Sequence, residues 1–249
     1  MITIFGSRKS LQDDVIHRKA VVQAARAASF LFGEDAFNAD YWEDLHVVRS
    51  DRTPPVSGCS AIKNMWDQPL MYSMYCLDGA RYVELYGASI ALMGQFDLLV
   101  GFHPVENRRH VLDRCQIPNG FSLTDMRALQ NKGEEAREQW AAAVNGCANS
   151  GKWIPGDWGY IWNTHPSPES NVYRGENIIY LGASKHDDVG LFTFENQVFR
   201  NNGYFWGLRS EMADRIMKLQ EFIDMVDDWN EGYPAVISTE RFNLKDLRQ

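Results

Sequence analysis

The chain has few cysteines, no long apolar run and no block of like charge. Its 249 residues include four cysteines, Cys59, Cys76, Cys115 and Cys147, far apart and without a CxxC pair. That spacing offers neither a zinc site nor a disulfide scaffold, so each is read as a separate thiol. No apolar stretch reaches the roughly 18 residues of a membrane span. The opening MITIFGSRKSLQDD lacks the basic-then-apolar pattern of a cleaved signal peptide. The expectation is a chain that is cytoplasmic or delivered without a cleaved signal peptide. Lys and Arg number 25 against 33 Asp and Glu, a net charge of -8. An acidic chain binds polyanions poorly, so nucleic acid and anionic membrane surfaces are not expected partners. The basic cluster Asn107-Arg108-Arg109-His110 reads as solvated surface. No repeat, low-complexity tract or linker is visible, so residues 1–249 read as one domain.

What is present is apolar and aromatic. Apolar residues make up 45% of the chain and aromatic residues 12%, enough for one substantial core. Helical spacing predicts a helix over 10–32, with Ser10 as its cap, Asp13 and Asp14 at its positive end, Gly33 as its stop and His17 on its surface. A short helical turn is predicted in CSAIKNMW, stopped by Pro69. Residues 78–93 are apolar almost all round, apart from Arg81 and Glu84, and read as a central buried helix. QFDLLVGF (95–102) reads as a strand and 122–148 as a further helix. Beyond 153 the texture is that of short strands: GDWGYIWN, ENIIYLGA, VGLFTFE, NQVFR and PAVIST (234–239). Residues 210–230, with Met212, Ile216, Leu219, Ile223 and Val226 on one face, read as a closing helix. The whole is an α+β pattern: helices first, then an antiparallel sheet.

A thiol becomes a nucleophile when a helix start and a nearby base or cation favour its anion. Cys147 falls on the apolar face of its predicted helix. Cys115 has no helix after it, and Cys59 precedes a weak turn. Cys76 lies just before the buried helix, with Asp78 as a plausible cap and helix-start amides suited to an oxyanion. Its other reading is a small buried thiol among Tyr72, Tyr75 and Tyr82. For a base, His103, His165 and His186 occupy loops or a strand end. Glu176 precedes the apolar strand NIIYLG, where partial burial raises a carboxyl toward the range of a general base. The alternative for Glu176 is a surface pair with Arg174.

The blocks SAIKNMWDQPLMYSMYC, FDLLVGFHPVE, IPGDWGYIWN and YRGENIIYLGASKHDDVGL resemble, in order, those of the bacterial spore-type protein-glutamine γ-glutamyltransferases. The resemblance covers roughly 37–195, with RGENIIYLG its most specific part. It implies an NlpC/P60-like (papain-like) core of about 37–208, in which a buried helix bearing the Cys at its N-terminus packs on an antiparallel sheet. The helices 10–32 and 210–230 are then additions and 122–148 an insertion. It implies a Cys76–Glu176 catalytic pair, calcium-independent chemistry with no metal or cofactor, and protein substrates bearing Gln and Lys. The chain departs from the pattern in having Tyr75 before the cysteine. The family's supporting His falls near Val189, so the third member is sought among His103, His165, His186 and Asp188. Tyr75, Trp158 and Trp162, with Trp206, are candidates for an exposed aromatic substrate channel.

The activity so implied is crosslinking of Gln to Lys through a thioester. Three alternatives stand beside it. One is a protein glutamine deamidase, acting as a toxin or effector. Another is an NlpC/P60-like cysteine amidase or peptidase, in which His103 or His165 pairs with Cys76. The last is a non-enzymatic binding protein. The oligomeric state is left open.

Overall fold

The computed structural model describes residues 8–34, 36–38, 41–42, 57–96, 153–162, 175–182, 185, 203–209, 215–229 and 236–240. The chain divides into two compact units, Met1–Cys115 with Phe242–Gln249, and Gln116–Arg241.

In the first unit the order is α1 (Arg8–Ala27), β1 (Leu31–Phe32), α2 (Gly58–Asp67), a 3-10 turn (Pro69–Met71), β2 (Ser73–Met74), α3 (Cys76–Leu92) and a second 3-10 turn (Met93–Gln95). Its centre is the packing of α1 on α3. Val21, Ala24 and Ala25 of α1 and Val83 and Ala88 of α3 are buried. Gly87 lets the helices close up, because a Cβ there would lie 2.3 Å from Val21 Cγ2 and 3.0 Å from the His17 carbonyl oxygen. His17 is therefore not on a helix surface. It is 1% exposed, and its Nε2 lies 3.2 Å from Glu84 Oε2. The polar residues of the central helix are buried as pairs, since Arg81 Nη1 also donates to Asp78 Oδ1 at 2.7 Å.

α1 ends at Ala27 rather than at residue 32. After it the chain extends: Leu31 N–H donates to the Tyr72 carbonyl at 2.9 Å, and β1 pairs in parallel with β2. A partner strand 42 residues downstream outweighs the local helical pattern. The predicted turn in CSAIKNMW is a full helix, α2, capped by Ser57 Oγ accepting from Ser60 N–H at 3.2 Å. Aromatic rings fill the space beside it: Trp42 Nε1 donates to Tyr72 Oη, which donates to Asn64 Oδ1. Burial pushes the Tyr72 hydroxyl up to about 12. Of the strand predicted over 95–102, Gln95 and Phe96 have helical backbone, closing α3 with a 3-10 turn; residues 97–102 lie outside the described residues.

The second unit contains β3 (Trp158–Trp162), β4 (Gly175–Gly182), β5 (Tyr204–Gly207), β6 (Ile216–Lys218), α4 (Leu219–Trp229) and β7 (Val236–Glu240). The sheet order is β6-β5-β4-β3-β7, and every neighbouring pair is antiparallel. β4 is buried at each of its positions. Ile161, Ile178, Tyr180 and Phe205 form its core with Trp153 and with Leu219, Phe222 and Val226 of α4. The closing helix is thus shorter than the predicted 210–230. Ile216–Lys218 pairs with Tyr204–Trp206 as a strand, and Lys218 Nζ sits 3.7 Å above the Tyr204 ring. The predicted elements at 122–148, VGLFTFE and NQVFR lie outside the described residues. Helices and an antiparallel sheet make the architecture α+β, and among the described residues no helix is long and apolar enough to cross a membrane.

Candidate functional site

Cys76 is the first residue of α3, not a residue ahead of it. The preceding β2 delivers an extended Tyr75 (φ -82°, ψ 167°) to the N-cap position, where no side chain caps the helix. Asp78 is not the cap: it sits in the first turn, held by Arg81. Tyr75 is 37% exposed and meets Phe32 edge-on, with ring centroids 5.5 Å apart. Cys76 itself is partly exposed, in contrast to the fully buried Tyr72 and Tyr82. The amides of a first turn point along the helix axis toward this end, and their dipoles favour negative charge there.

Glu176 belongs to the second unit, at the start of β4. Gly175 before it has φ +147°, and a Cβ there would meet the Ile161 carbonyl oxygen at 2.1 Å, so only glycine lets β4 begin this close to β3. Glu176 lies across from Ile161 on β3 and on the same face as Ile178, the face covered by α4. It is 0% exposed. The surface pair with Arg174 is thereby overturned: the partner is Arg209, whose Nε donates to Glu176 Oε2 at 2.5 Å. Burial pushes the Glu176 carboxyl up to about 7, against the pull of Arg209 and of a backbone hydrogen bond from Leu208. Oε1 of Glu176 has no hydrogen-bond partner among the described residues.

Trp158 and Trp206 do not form exposed walls. Both are buried in the sheet, Trp158 with its Nε1 donating to Asn177 Oδ1 at 2.9 Å. Trp162 lies in β3, and its side chain is outside the described residues, as are His103, His165, His186 and Asp188. Sequence reasoning missed Arg209. Only the register shows it: Ile178 pairs with Gly207, and extending that pairing two residues past the end of β5 brings Arg209 level with Glu176. Among the described residues no group of three or more His, Cys, Asp or Glu is arranged to hold a metal ion.

By class the chain is a cysteine-dependent acyltransferase. The family model described as protein-glutamine gamma-glutamyltransferase matches residues 4–198, and the chain belongs to that family. Its activity is that of a transglutaminase, which acts on protein substrates. The match reaches further toward the N-terminus than the blocks at 37–195 and so takes in α1. Among solved structures, a transglutaminase from Geobacillus stearothermophilus without its C-terminal extension is similar in fold, with a TM-score of 0.56 at 17% identity. That likeness covers 97% of this chain and 96% of the other. No curated protein matches the chain.

Proposed function

We propose that Cys76 is the nucleophile and Glu176 the proton-transfer group of a reaction that crosslinks protein glutamine to lysine. The Cys76 thiolate attacks the glutamine carboxamide carbon, ammonia leaves and a γ-glutamyl thioester forms. Glu176 gives a proton to the departing ammonia and takes one from the lysine ε-amine, whose attack on the thioester releases the thiol and forms the isopeptide. Water in place of the amine gives glutamate, so exclusion of water decides between crosslinking and deamidation. We read the fold as the NlpC/P60-like, papain-like type, working as one catalytic domain, with a carboxylate taking the base's role. The third member of the site is sought among His103, His165, His186 and Asp188.

One observation carries this reading: Glu176, in the RGEN block, is fully buried with one carboxyl oxygen paired to Arg209, an environment that pushes the carboxyl up to about 7. A group poised near the working pH both donates and accepts. Incorporation of a labelled primary amine into a glutamine protein tests it, with ammonia release followed in parallel. Cys76→Ala and Glu176→Gln are each expected to remove both signals with the fold intact. An active Glu176→Gln would move the base to His103 or His165, and ammonia release without incorporation would make the enzyme a deamidase. Cys76 is further expected to be alkylated by iodoacetamide faster than an ordinary thiol near neutral pH.

A further inference from the structure

β5 ends at Gly207, and Gly207, Leu208 and Arg209 run beside Glu176 at the start of β4. A Cβ on Gly207 would meet Glu176 Oε1 at 2.9 Å and Phe222 Cε1 at 2.7 Å, so glycine alone leaves Oε1 its place. The Leu208 backbone hydrogen-bonds the carboxyl group. Arg209, 4% exposed, donates Nε to Oε2 and reaches the Gly175 carbonyl oxygen with Nη2 at 3.5 Å. The guanidinium is thereby tied both to the carboxylate and to the residue that precedes Glu176.

Among the described residues, the other elements packed on Glu176 supply little charge. On β3, Tyr160 pairs with Asn177 and so lies on the opposite face from Glu176. On α4, Glu221 and Asp224 are exposed. Arg215, before β6, accepts the Gly207 N–H with its carbonyl oxygen. Arg209 lies beyond residues 4–198, outside the stretch that identifies the family.

We propose that Arg209 is a positioning residue for the transfer reaction: it grips one carboxyl oxygen of Glu176 through a planar, buried guanidinium and leaves the other oxygen for proton exchange. The inference rests on Glu176 being the proton-transfer group. An opposite charge at this range favours the ionised carboxylate, typically by about 1–3 pH units. Arg209 offsets part of the burial penalty and keeps the carboxylate form populated at neutral pH. The fork geometry matters beyond the charge, because a lysine ammonium is a point donor.

The experiment is the pH profile of labelled-amine incorporation into lysine-blocked casein by the full chain. In Arg209→Gln the acid limb of kcat/KM is expected to move up by about one pH unit or more. Activity at pH 7 should fall about fivefold or more and return toward the wild-type level at pH 9, with KM for casein unchanged. Arg209→Lys should place the limb between the two. Where Arg209→Gln does not fold, Arg209→Lys decides alone. An acid limb and kcat equal to wild type in the folded variant overturn the proposal, because a merely structural pair moves stability and not the profile. Glu176→Gln measured alongside separates the two readings. Residual transfer there sinks the role of Glu176 and this inference with it. An inactive Glu176→Gln with an unmoved Arg209→Gln limb sinks the role of Arg209 alone.

Discussion

Replacing Glu176 by glutamine keeps the side chain's size and removes its titration. In the folded chain the carboxyl titrates near 7, against an ordinary value of 4.5, chiefly because it is buried. Between these two values the folded state holds a proton that the unfolded state has lost. Stability from this group is therefore fully present below 4.5 and is lost as pH rises through 7. The loss amounts to about 3 kcal/mol between pH 4 and pH 8. A glutamine amide cannot ionise, so the variant escapes it. Urea unfolding of both proteins at several pH values should show them similar at pH 4 and the variant gaining about 3 kcal/mol on wild type by pH 8. In urea the midpoint difference between the two proteins should then open by roughly 1 M or more. Taking the difference between two chains that differ at one position cancels the other titrating groups. A difference that is flat with pH would refute the reasoning, showing that the folded chain does not hold Glu176 above its ordinary range. A difference that shrinks with pH would mean that Arg209 outweighs burial. The expected result couples the two properties: the position that lowers stability at working pH is the one proposed to carry the protons.

Two further substitutions probe the units separately. Gly87→Ala puts a methyl group where Val21 and the His17 backbone already stand, and should destabilise the first unit by about 1–3 kcal/mol, read as a lowered thermal midpoint. An unchanged midpoint would mean that α1 and α3 shift apart without loss. Trp158→Phe removes the donor to Asn177 Oδ1 inside the sheet and should lower stability by about 1–2 kcal/mol while leaving KM for the amine unchanged. A raised KM with unchanged stability would return Trp158 to the substrate path.

The features legible in the sequence were those set by local pattern. The apolar surround of residues 78–93 announced α3, and the texture of GDWGYIWN and ENIIYLGA announced β3 and β4. What escaped depended on distant partners. Nothing near His17 says that Glu84, 67 positions on, will bury it. The two-residue strands β1 and β2 are too short to show a period, yet they end α1 early and aim Tyr75 at the helix start. Ile216 fits a helical stripe with Leu219 and Ile223, but pairing with Trp206 outweighs that preference. Trp158 and Trp206 read as exposed because tryptophan is common at binding surfaces, whereas both are sheet core. Cys76 and Glu176 were singled out by chemistry and resemblance together. Arg209 needed the β4–β5 register, which no single stretch displays.

That register carries a consequence for how the sheet assembles. β4 and β5 are both rich in buried apolar residues, so a contrast of polar and apolar side chains does little to mark their register. A one-residue slip turns every side chain of a strand to the other face. It would set Leu208, not Arg209, across from Glu176 and leave two buried charges to separate desolvation penalties. The irregularity between Tyr180 and Gly182 absorbs the remaining mismatch at the far end of the pair. The ion pair is thus expected to work as an alignment mark, adding little to the depth of the native state and more to its uniqueness, so that a chain which has closed the sheet has also set Glu176 against Arg209.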